Sequence, residues 1–112
     1  MIVWKDEVQL WEWLKPRLKG KWTRLEVSYP AGLCDSMGLW HGQTIWLEHK
    51  VGKPSKTLFK TTQIDFALDC ERHHVPWWCC FGYYGRVFFY PSLDLTKSAL
   101  PPFWIPPLVS RK

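Results

Sequence analysis

The sequence predicts a small mixed α/β (α+β) domain in which a central mixed sheet is flanked by helices. Three observations carry that expectation. Apolar residues recur at helical spacing in two segments, one near the N-terminus and one around residue 65. Five other short runs alternate in polarity or are dense in β-branched and aromatic residues, the signature of strands. The segments follow in the order helix, strand, strand, strand, helix, strand, strand, which closes into layers around one core.

The first helix is expected over residues 4–18, where Val3, Glu7, Leu10, Trp11, Leu14 and Leu18 repeat at helical spacing. Pro16 should kink or end it early and Gly20 stops it. A strand follows over residues 21–29, closed by Pro30, Ala31 and Gly32. Residues 35–40 and 44–51 form a hairpin turned by His41, Gly42 and Gln43. On its second strand Trp46, Glu48 and Lys50 share one face, while Ile45, Leu47, His49 and Val51 share the other and make the core side. A loop containing Pro54 leads to a second helix over residues 61–73, with Thr61 or a neighbour as its cap. Ile64, Ala67, Leu68 and Glu71 fall on one side of that helix, with Phe66, Cys70 and His73 beside them. Residues 75–81 and 86–90 are strands joined through residues 82–85. From Pro91 the pattern weakens, so residues 1–90 read as the domain and 91–112 as a Pro- and aromatic-rich extension. Phe103, Trp104 and Ile105 would be poorly tolerated in water, which favours docking of that extension on this domain or on a second copy.

Composition narrows the function classes. A length of 112 residues fits one domain, and a 46% hydrophobic, 17% aromatic composition argues against disorder over most of it. The net charge of +5 leans toward a polyanionic partner such as nucleic acid. No apolar run reaches the roughly 20 residues of a membrane span, and Lys5, Asp6 and Glu7 interrupt any secretory pattern at once. A cytoplasmic protein with reduced thiols is expected. Cys79 and Cys80 are adjacent on a strand and should point to opposite faces, which argues against a disulfide between them. Cys70, His73, His74, Cys79 and Cys80 match no standard zinc spacing, so these thiols read as small buried hydrophobes.

The chemistry-bearing residues fall in a fixed order: Asp35, then Glu48 and Lys50 across a glycine turn, then Gln63 opening a helix. Two carboxylates from paired strands suit a hard divalent cation. A lysine beside them suits orientation of water and stabilisation of developing negative charge. The carbonyl of His49, between Glu48 and Lys50, is placed as a further metal ligand. Lys50, Lys53, Lys56 and Lys60 are natural phosphate contacts in such a site. Trp40 and Trp46 lie near it; packing is the simpler role for each, stacking on bases the other.

The runs Arg24-Leu25-Glu26, Gly32-Leu33-Cys34-Asp35, Trp46-Leu47-Glu48-His49-Lys50 and Gln63-Ile64-Asp65-Phe66 resemble the PD-(D/E)XK nucleases. More narrowly they resemble the short phage-type nucleases of the VRR-NUC class, relatives of Holliday-junction resolvases. The resemblance covers roughly residues 1–90. It implies a restriction-endonuclease-like core and magnesium- or manganese-dependent hydrolysis of phosphodiester bonds in DNA, with branched or junction DNA as substrate and a homodimer to cut paired strands. Asp35 matches the family aspartate, Glu48 and Lys50 the E-x-K pair, and Gln63 the helix glutamine. Glu7 is the best match to a site-facing glutamate on the first helix, and Glu26 to a glutamate of less defined role. One departure is Cys34, which stands where the family has proline before the aspartate. If the chain is viral, the host cytoplasm is the expected location. The rival expectations are a non-catalytic nucleic-acid-binding module with a decayed site, and a viral protein that binds a host factor through its aromatic tail.

Overall fold

A computed structural model describes residues 3–25 and 34–106. Five strands form one sheet in sequence order: β1 (Lys21–Arg24), β2 (Ser36–Trp40), β3 (Gln43–Val51), β4 (Trp77–Tyr83) and β5 (Arg86–Tyr90). The pairings β1–β2, β2–β3 and β4–β5 are antiparallel, whereas β3–β4 is parallel. A parallel pair needs a crossover, and the chain supplies one in α2 (Thr61–Arg72). Both tight hairpins use two residues at positive φ, His41 and Gly42 in one and Tyr84 and Gly85 in the other. That backbone matches the twist of the flanking strands.

α1 (Glu7–Leu14) is shorter than its apolar periodicity implied. Asp6 caps it by accepting from the Gln9 N–H at 2.8 Å, and Pro16 turns the next residues into the 3-10 segment Lys15–Arg17. Gln43 belongs to β3 rather than to the turn, and β4 begins at Trp77 rather than at residue 75. The expected continuation of the first strand over residues 26–29 lies outside the described residues, as do Glu26 and Gly32.

The helices cover opposite faces of the sheet. Leu10, Trp11 and Leu14 of α1 pack with Ile45, Leu47 and Cys80. Ala67 and Cys70 of α2 pack with Trp77, Cys79 and Phe81. Cys79 and Cys80 therefore do point to opposite faces, and all four cysteines are free and buried. Burial pushes the thiols of Cys34, Cys79 and Cys80 well up, which makes them poor nucleophiles.

Two expectations change. β3 does not have one core face and one open face: Glu48 and Lys50 are as buried as Ile45, Leu47 and His49. The reason is the parallel pairing, because a crossover helix on one face and α1 on the other leave the stretch Leu47 to Lys50 no open side. In α2 the buried stripe is Gln63, Ala67 and Cys70, whereas Leu68 is exposed. Its N-cap is Lys60, the neighbour of Thr61 and within the expected position.

The segment after β5 returns across the α1 face. Phe103 is fully buried and touches the rings of Trp22, Trp40 and Trp78, while Trp104 packs on Phe89 and Trp13. Backbone bonds from Lys19 N–H to the Phe103 carbonyl and from Ile105 N–H to the Arg17 carbonyl, each 2.8 Å, tie it to the end of the first helical segment.

Candidate functional site

Five polar side chains meet at one end of the sheet. Asp35 stands one rung before β2, where its carbonyl accepts from the Leu25 N–H at 2.8 Å and prolongs the β1–β2 ladder. The β2–β3 register, with Ser36 opposite Leu47, sets Asp35 opposite Glu48. The two carboxyl groups are close enough for each to shift the ionisation of the other. The Asp35 carboxylate also accepts from the backbone N–H of His49 at 3.0 Å.

Glu48 is fully buried, with one carboxyl oxygen accepting from the Gln63 amide at 3.0 Å. Its other oxygen, Oε2, has no hydrogen-bond partner among the described residues. Gln63 is itself fixed: its amide oxygen accepts from the Lys60 N–H at 2.8 Å, satisfying an otherwise open donor at the start of α2. That leaves its NH2 free to point at Glu48, so one side chain caps a helix and orients a buried acid. Lys50 reaches the same spot, its ammonium 3.8 Å from both Glu48 and Glu7. The four structural sources, α1, the entry to β2, β3 and α2, thus each contribute at least one group.

Electrostatics divides the two acids. Burial pushes the Glu48 carboxyl up to about 10, reinforced by the neighbouring Asp35 carboxyl and its charge. Asp35 is also penalised by burial, but the neighbouring Glu48 carboxyl, the His49 N–H and the charges around it outweigh that penalty and hold Asp35 below the usual range. The pair therefore shares one proton, which resides on the more deeply buried Glu48. Glu7 is raised by burial, with the Lys50 charge opposing.

His49 turns its imidazole to the α1 face, stacked on Trp11 with ring centroids 5.3 Å apart. Burial lowers its pKa to about 4, so the ring is neutral. It faces away from Glu48 along the strand alternation, with Nδ1 3.8 Å from the Asp35 carboxylate.

The donors fit a hard divalent cation. Two carboxylates lie together, and one presents a buried oxygen without a protein partner. Among the described residues no set of three or more His, Cys, Asp or Glu side chains forms a metal cluster, so a third protein ligand would come from the main chain. The cysteines and histidines singled out for zinc do not form such a cluster either.

Beside the acids, Lys5, Asp6, Glu7, Val8, Arg24 and Val51 line an open groove of about 440 Å³. Arg24 is near enough to Glu7 and His49 to influence both. The periodicity that places Arg24 on a strand does not reveal that this strand runs beside the N-terminus of α1, so its nearness to the acids had no signal in the sequence.

No family model and no curated protein matches the chain. Among the described residues no helix is long and apolar enough to cross a membrane.

Proposed function

We propose that this protein is a divalent-metal-dependent deoxyribonuclease of the PD-(D/E)XK type that hydrolyses phosphodiester bonds in DNA. The observation that carries the reading is the convergence of Asp35, Glu48, Lys50, Gln63 and Glu7 within hydrogen-bond or ion-pair reach of one another. Placing an acid and an amine in the interior works against stability, at several kcal/mol for each ionised group. An apolar pair at these positions would serve the fold better, so the arrangement points to chemistry.

Asp35 and Glu48 would hold a magnesium or manganese ion, with the His49 main-chain carbonyl as a further ligand. When bound, such an ion polarises a phosphate oxygen and lowers the pKa of a coordinated water. The protein's own groups supply the rest. Lys50 orients the attacking water and stabilises negative charge on the phosphate. Gln63 keeps the Glu48 carboxyl aimed at the site. Glu7 positions the Lys50 ammonium. Lys53, Lys56 and Lys60, all exposed around the start of α2, attract the phosphate backbone.

The element order supports a restriction-endonuclease-like core: helix, three antiparallel strands, crossover helix, parallel strand. A chain of this size offers little surface for reading a long sequence, which favours branched or junction DNA as substrate. Two copies would be needed to cut paired strands.

The test is cleavage of plasmid and branched-junction DNA with magnesium or manganese, against Glu48→Ala. Wild-type cleavage that stops in the variant is expected. Failure to cut either substrate with either metal refutes the enzyme and leaves a non-catalytic binding module. Solution mass with and without junction DNA tests the pairing of copies.

A further inference from the structure

We infer that the pocket between Trp46 and Phe66 receives an unpaired nucleobase next to the phosphate held at the acid cluster; this rests on the nuclease reading and specifies its substrate.

Trp46 and Glu48 lie two residues apart on the same face of β3, a separation of about 6.6 Å along the strand. Opposite Trp46 across the sheet are Met37 and Thr23, forming the next rung on the same face after the one that pairs Asp35 with Glu48. Acid cluster and tryptophan thus share one continuous floor.

Above that floor Trp46 and Phe66 meet at 5.1 Å between centroids, with ring planes 89° apart. They make a right-angled corner, closed by Cys70 and Val75 and bounded by Asp69 and His73, around about 240 Å³. Apart from that rim the walls are apolar, which suits the face of a planar ring. Trp46 remains part-exposed although it lies in the middle of the sheet. From α2, Phe66 meets this ring edge-on and leaves it part-exposed, whereas the neighbouring Trp77 is buried.

A base is a better occupant than an apolar side chain because the pocket shares one continuous face of the sheet with the phosphate-compatible acid cluster. The acid at the rim does not repel a polyanion strongly, because the Asp69 carboxylate is paired with Arg72 at 3.1 Å. A base stacked inside a duplex cannot enter such a corner, so the pocket selects nucleotides already unpaired at a gap, flap or branch point.

The experiment places 2-aminopurine at each unpaired position of a gapped duplex and follows its fluorescence on binding, with calcium replacing magnesium so that DNA stays intact. Wild-type protein should quench the probe at one position, and an abasic site there should weaken binding about five- to a hundredfold. Trp46→Leu should abolish the quench and give a similar loss, while leaving affinity for fully paired duplex unchanged. Trp46→Phe should retain most of both signals; it also serves as the test if the leucine variant does not fold. Equal losses for gapped and paired DNA would make Trp46 merely structural and overturn the pocket, as would an abasic site without effect. Quenching without cleavage under magnesium or manganese refutes the nuclease and keeps the pocket. Cleavage indifferent to the abasic site and to Trp46→Leu does the reverse.

Discussion

The proton on Glu48 makes stability a readout of the site. In the folded, cation-free protein the carboxyl titrates at about 10, against 4.5 for an ordinary glutamate. Through the neutral range the native state then binds one proton more than the unfolded chain. A raised folded pKa contributes stability fully below the unfolded value and loses it as pH climbs toward the folded one. One proton corresponds to about 1.4 kcal/mol per pH unit. From about pH 6.5 to about pH 8.5 this single group should therefore remove about 3 kcal/mol of stability. Glu48→Gln keeps the shape and an acceptor for Gln63, and has no proton to lose. Urea unfolding with a chelator present, at both pH values, measures the difference between the two slopes, in which all other titrating groups cancel. Wild type should weaken by about 3 kcal/mol more than the variant. Parallel slopes would mean that Glu48 is already ionised in the fold, and the account of the acid pair would be wrong.

Further outcomes follow from individual contacts. Lys50→Met should cost cleavage about a hundredfold or more while leaving the melting temperature near or above wild type, because a buried amine is replaced by a side chain that suits the interior; unchanged turnover in a cleavage assay would remove Lys50 from the mechanism. Gln63→Leu strips a partner from buried Glu48 and from the Lys60 N–H, and chemical denaturation should show a loss of about 1–3 kcal/mol. At Gly38 an added methyl would run into the ring of Trp22, so Gly38→Ala should cost about 1–3 kcal/mol by the same assay. Phe103→Ala should cost about 3–5 kcal/mol, seen as a lower thermal midpoint; a neutral result would show that residues 101–106 do not complete the core.

The sequence carried the elements with strong periodicity. Leu10, Trp11 and Leu14 mark α1, and the alternation through Lys50 marks β3, because each period has one physical source. What it could not carry was which faces would be covered. Alternation in β3 looks half-open because Glu48 and Lys50 are polar, yet they are buried by α2 and the parallel partner β4, which are remote in sequence. The acids and Lys50 were legible from residue type and spacing. Gln63 was legible as a position, and so was the helix start at Thr61, but the double task of Gln63, capping α2 and holding Glu48, depends on how α2 packs on β3. Docking of Phe103 was legible from its apolar character, whereas the rings it meets and the Trp22–Gly38 contact depend on other strands, and no local pattern announces them.

The central position of β3 has a consequence for how the protein can fail. A slip of one residue in its pairing would send Glu48 and Lys50 into the tryptophan-lined side and turn His49 toward α2. No partial version of that error is tolerable, since Leu47, Glu48, His49 and Lys50 are all buried. Whatever disarms the acid cluster by moving backbone must therefore melt the domain with it. On gradual heating, catalytic competence and near-ultraviolet tryptophan signal should disappear in a single step, and the amides of Glu48, His49 and Lys50 should be among the last to exchange with solvent.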